Sequence, residues 1–86
     1  MGRRRVNDKP TKKEFDAARA WRLARGLSVD QLAELTGYAR ETIYVYERGG
    51  HQNQPIQPWV WLRFWSSCAG VDAMLNGAKF DWGRKA

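Results

Sequence analysis

Apolar side chains recur at three- and four-residue steps along this 86-residue chain, in stretches bounded by residues that start or stop a helix. Thr11 with Glu14 is a capping box, in which the hydroxyl takes an early backbone N–H and the carboxylate reaches back to the cap. Phe15, Ala18 and Trp21 then fall on one side before Gly26, which predicts a first helix from about Lys12 to Arg25. Ser28 with Gln31 repeats the box. Val29, Leu32, Ala33 and Leu35 continue it as a short second helix, and Gly37 stands where a left-handed residue lets the chain turn sharply. A third helix is expected from about Arg40. Ile43, Tyr46 and the aliphatic part of Glu47 share one side of it, while Glu41, Val45 and Arg48 gather within roughly 60° on the other.

The polar run from Gly49 to Gln57, rich in carboxamides and holding two glycines and a proline, reads as a mobile surface loop. Pro58 suits the first turn of a fourth helix that continues through Cys68 and stops at Gly70. Around that helix Trp61, Leu62, Phe64, Trp65, Cys68 and Ala69 spread over roughly 160°, wider than a single set of neighbours should cover. Trp21, Trp61 and Trp65 are assigned to the core. Asp72 is placed to cap a last short helix through Leu75, ending at Asn76 and Gly77. The pattern therefore predicts an all-α domain of five helices over residues 11–77. A flexible basic arm over 1–10 precedes it and a tail over 78–86 follows.

The most informative segment is Ser28 to Gly49, SVDQLAELTGYARETIYVYERG. Leu32-Ala33 to Gly37, then Thr42-Ile43 to Glu47-Arg48-Gly49, resembles the phage-repressor and Cro-like (XRE-type) helix-turn-helix family. Arg22 lies at the first-helix position from which such domains pair an arginine with the recognition-helix glutamate, here Glu47. Cys68 to Gly77 is similar to the family's closing segment, so that the resemblance covers about residues 12–77. It implies a lambda-repressor-like fold and DNA binding. Two positions depart from the family pattern: Ala39 replaces the usual Ser or Thr cap of the recognition helix, and Val29 replaces a phosphate-touching Gln.

Charge supports a polyanionic partner, with 15 Lys and Arg against 9 Asp and Glu for a net charge of +6. The excess sits at the ends. Arg3, Arg4, Arg5, Lys9, Lys12 and Lys13 face one acid, Asp8, and Lys79, Arg84 and Lys85 face Asp81, leaving the middle close to neutral. The lone Cys68 excludes an internal disulfide and, in its apolar setting, reads as a packed thiol in a reducing cytoplasm. No apolar run approaches the ~20 residues of a membrane span, and no apolar segment follows the arginines as in a secretory signal.

Within the resemblance, Arg40, Glu41, Thr42 and Val45 are the candidates for base contacts. Arg40 can give two hydrogen bonds to guanine, Glu41 can accept from a cytosine amine or pair Arg40 or Arg48 along the helix, and Val45 can meet a thymine methyl. Ser28, Tyr44 and Arg48 are candidates for the DNA backbone, and Arg3, Arg4 and Arg5 for an adjacent minor groove or for electrostatic attraction alone. Arg22 and Glu47 form a structural ion pair. A chain this small buries only about 60% of its unfolded surface, which favours oligomerisation. Trp59, Phe64, Phe80 and Trp82 are the candidate surface between two copies. His51 has no cluster of ligands around it, so no metal or cofactor is expected, and no nucleophile with a positioned base points to catalysis. The expected function is a repressor or autorepressor of a phage or other mobile element, binding a palindromic operator as a homodimer. The alternative is a protein-interaction module, an antitoxin or anti-activator using the Trp-rich C-terminal face.

Overall fold

The computed structural model describes residues 9–51 and 54–78. Within them the chain forms α1 (Lys12–Ala24), α2 (Val29–Thr36), α3 (Arg40–Arg48), β1 (Gly50–His51), β2 (Gln54–Pro55) and α4 (Pro58–Leu75). Both capping boxes are made. Glu14 N–H donates to the Thr11 hydroxyl at 3.4 Å while Thr11 N–H donates to the Glu14 carboxylate at 3.1 Å. Gln31 N–H donates to Ser28 Oγ at 3.0 Å, and Ser28 N–H donates to the Gln31 carbonyl oxygen at 2.8 Å. At the end of α1, Leu27 N–H reaches the Arg22 carbonyl and Gly26 N–H the Leu23 carbonyl, the bond pair that closes a helix before a change of direction.

Gly37 takes φ +82° and gives its N–H to the Ala33 carbonyl at 2.8 Å. Nothing lies within 4 Å of where a Cβ would stand, so the glycine is required by backbone handedness rather than by space. Thr36 reinforces the turn, its hydroxyl donating to the Leu32 carbonyl at 2.7 Å and accepting from Tyr38 N–H. The chain then enters α3 at the sharp angle the motif needs.

Two expectations about helix number and loop structure are corrected. α4 does not stop at Gly70 but runs 18 residues to Leu75, so the described chain has four helices, not five. A single glycine in a helix interior costs about 1 kcal/mol, and packing on both sides of it outweighs that: Cys68 and Val71 are buried, and Asp72 is tied to α1. Asp72 is therefore no cap. Its carboxylate accepts from Trp21 Nε1 at 2.9 Å and from Arg25 Nε at 2.5 Å, contacts that hold its pKa below the ordinary carboxylate value. The Gly49 to Gln57 segment, expected as a mobile loop, contains an antiparallel pair with Gly50 opposite Pro55 and His51 opposite Gln54.

The core joins Val29, Leu32, Ile43, Ile56, Trp61, Phe64 and Cys68. On α4 the buried residues are Trp61, Phe64, Cys68 and Val71, a stripe at alternating three- and four-residue steps. Phe64, expected between two copies, is instead 1% exposed. Its ring meets Tyr46 at 4.9 Å, Tyr38 at 5.6 Å and Trp61 at 5.6 Å between centroids, so that it is spent on the core of its own chain and offers almost no surface to a second copy. Trp65, expected in the core, is half exposed because it lies beside the stripe rather than on it. Trp21 is half-buried, its indole N–H satisfied by Asp72. Cys68 is a buried free thiol, and burial pushes its pKa up to about 12.

Candidate nucleic-acid interface

α3 is positioned by one apolar face and one ion pair. Ile43 is fully buried and Tyr46 packs edge-on against Phe64 and Tyr38, which turns the opposite side of the helix outward. Arg22 of α1 then fixes the rotation about that contact. Its Nε donates to Glu47 Oε2 at 2.7 Å and its Nη2 to Glu47 Oε1 at 3.1 Å, while Nη1 donates to the Leu27 carbonyl at 2.9 Å. The two side chains are 8% and 6% exposed. The hydrogen bond to Glu47 raises the Arg22 pKa against the opposing effect of burial.

Arg40, Tyr44 and Arg48 form one exposed row along α3 at four-residue spacing. Glu41 and half-buried Val45 form the next row, with half-buried Thr42 beyond them. All four candidate base-contact residues lie on α3, with Glu41 and Val45 opposite Ile43 and with Arg40 and Thr42 nearer its flanks, about 60° and 100° around the helix from it. Arg40 does not pair with Glu41. Its Nε is 3.4 Å from Asp30 Oδ1 on α2, and its guanidinium carbon is 6.0 Å from the centre of the Tyr44 ring. A hydrogen bond to Tyr44, followed by the Asp30 charge, raises the Arg40 pKa further. Asp30 was missed in the sequence, where nothing links two exposed residues on different helices.

Ser28 spends a lone pair on its capping bond and keeps its own hydroxyl proton for donation, at the exposed start of α2. Ala39 holds the extended N-cap conformation of α3 with no side-chain hydrogen bond. Ala39→Ser should therefore stabilise the domain by about 0.5–2 kcal/mol, read as a higher denaturant midpoint at unchanged m-value. No change in midpoint would mean that the first N–H groups of α3 are already well served. Trp59 is exposed on α4. Arg3, Arg4, Arg5, Phe80 and Trp82 lie outside the described residues.

His51, Gln54 and Gln57 are exposed and line the same cleft as Glu41, Thr42 and Val45. The sequence singled out their carboxamides but not their fixed place beside α3. Among the described residues no group of three or more His, Cys, Asp or Glu converges, and no helix is long and apolar enough to cross a membrane.

A family model for a helix-turn-helix domain matches residues 16–73, from the first turns of α1 to near the end of α4. No curated protein and no solved structure matches the chain. The match takes in the Arg22–Glu47 tie, the Gly37 turn and the whole of α3, and the chain belongs to the helix-turn-helix domain family of DNA-binding proteins.

Proposed function

We propose that this domain is a sequence-specific transcriptional regulator, a repressor or autorepressor, that binds a palindromic operator as a homodimer with α3 in the major groove. The observation that carries this reading is the outer face of α3, where Arg40, Tyr44 and Arg48 stand in one exposed row on a helix held by buried Ile43 and by the Glu47 ion pair. Arg40 reads guanine, with Glu41, Thr42 and Val45 reading neighbouring base edges. Tyr44, Arg48 and Ser28 hold phosphates, and Arg3, Arg4 and Arg5 add attraction from the arm. A second copy covers apolar surface at the ends of α4, where Trp59, Leu35, Met74 and Leu75 are exposed, with Phe80 and Trp82 contributing from the tail. Two-fold symmetry then sets the half-site centres about 10 base pairs apart or a multiple of this.

In a gel shift on DNA from upstream of the protein's own gene, Arg40→Ala should lower specific affinity by about 1–3 kcal/mol and leave binding to random DNA nearly unchanged. Equal loss on both would move Arg40 to the phosphates. A second reading is favoured by the groove between α1 and α4, walled by Trp21, Trp61 and Trp65 over Ala17, Ala18 and Ala69. That groove suits a protein partner, in the manner of an antitoxin or anti-activator. A stable protein complex with no DNA shift would support it.

A further inference from the structure

We propose that Asp30, in the first turn of α2, is a specificity-determining residue: its carboxylate steers the Arg40 guanidinium onto a base edge and away from the phosphates. The proposal rests on the DNA-binding reading above and gives a part in it to a residue outside α3. It begins from an ion pair that crosses the motif. Arg40 Nε lies 3.4 Å from Asp30 Oδ1, although Glu41 is the next residue along Arg40's own helix.

The backbone fixes both ends of that pair. Asp30 is the second residue of α2, whose first turn is set by the Ser28–Gln31 capping box and by buried Val29 and Leu32. Arg40 is the first residue of α3, whose rotation is set by Ile43 and by the Arg22–Glu47 pair. What is left to vary is the long side chain of Arg40. An unheld arginine at the tip of a reading helix has rotamers that reach a phosphate on any sequence. Asp30 meets the guanidinium at Nε, the inner nitrogen, and the Tyr44 ring lies 6.0 Å from the guanidinium carbon. A fork from the outer nitrogens to guanine O6 and N7 is compatible with that hold. A side chain held before binding also loses less conformational entropy when the base arrives.

Stability does not account for the pair. Its two side chains are 54% and 68% exposed, and an ion pair so open to water adds little to the fold. At a DNA surface the acid carries a cost as well. Ser28, a candidate phosphate donor, is two residues away at the same exposed helix start, so the Asp30 charge repels the backbone of every duplex. Where Arg40 meets guanine, the held geometry offsets that repulsion, and on random DNA nothing does. Specificity is a difference between two affinities, and a group that weakens the wrong complex more than the right one widens it.

The test measures binding of the intact chain, Asp30→Ala, Arg40→Ala and the double variant to a duplex from upstream of the gene and to a random-sequence duplex, at several salt concentrations. Asp30→Ala should bind the random duplex roughly three- to tenfold more tightly at low salt, with a steeper slope of log affinity against log salt, because a negative charge is gone and Arg40 is released to the phosphates. Its ratio of upstream to random affinity should fall by about fivefold or more. In the Arg40→Ala background the same substitution should leave the ratio unchanged, since Asp30 acts on it through Arg40. An acid that merely supported the start of α2 would shift both duplexes alike, with Arg40 or without it. Asp30→Ala is expected to unfold close to the intact chain's denaturant midpoint, which separates a change in ratio from a fold defect. An intact-chain ratio in Asp30→Ala, or an equal fall in ratio when Arg40 is absent, would overturn the role of Asp30 while leaving the α3 reading intact. An intact chain that binds neither duplex, or an Arg40→Ala variant that loses equally on both, would overturn that reading and this proposal with it.

Discussion

Arg22→Ala is expected to cost the domain about 3–5 kcal/mol, because it strands the Glu47 carboxylate, only 6% exposed, without its guanidinium. The loss has two sources. Glu47 forfeits two charge-assisted bonds, at 2.7 and 3.1 Å, and the Leu27 carbonyl forfeits the third N–H of the same fork. A domain of ordinary stability, about 5–15 kcal/mol, would be left near the edge of folding. The measurement is chemical denaturation, with Arg22→Leu plus Glu47→Leu as the control. Removing both charges leaves nothing stranded, so the double variant should recover most of the stability. If the single and double variants unfold at the same denaturant concentration, the pair is not what holds α1 to α3.

Phe64→Ala should be as damaging, at about 3–5 kcal/mol, since it empties the centre of an aromatic cluster. Tyr38 and Tyr46 meet that ring edge-on and Trp61 meets it at a tilt, and a methyl group in its place leaves all three facing a void. The effect should appear as a lower midpoint of unfolding at every protein concentration. A variant that kept its stability and lost only self-association would restore Phe64 to the surface between copies. Phe64→Leu, which retains most of the volume, should cost clearly less.

What the sequence made legible was whatever is encoded within four residues. Thr11 with Glu14 and Ser28 with Gln31 carry both halves of a cap, and Gly37 carries its own backbone preference, so the starts of α1 and α2 and the turn needed no tertiary information. Asp72 misled because a short acidic side chain looks the same whether it caps a helix or binds across one. Its partners, Trp21 and Arg25, lie 51 and 47 residues away. Gly70 misled for a related reason, since its cost to the helix is small beside the packing of the residues around it. Phe64 and Trp65 are adjacent, and only the placement of α1 and α3 decides which of the two faces inward. The hairpin pairs too few residues to show an alternating pattern. Arg22 and Glu47 were found through the family resemblance, whereas the Arg40 contact with Asp30 had no sequence signal at all.

The continuity of α4 through Gly70 bears on how tolerant any paired assembly can be. An 18-residue helix is a beam about 27 Å long, joined to the hairpin at its Pro58 end and lying against α2 near its other end. A break at Gly70 would have introduced a hinge, and copies joined through the Leu75 end could then have swung to suit operators of different spacing. Without the hinge, the distance between two reading helices joined through that end is set by covalent geometry. Such a pair would accept one spacing and reject an operator with a single base pair inserted between its halves.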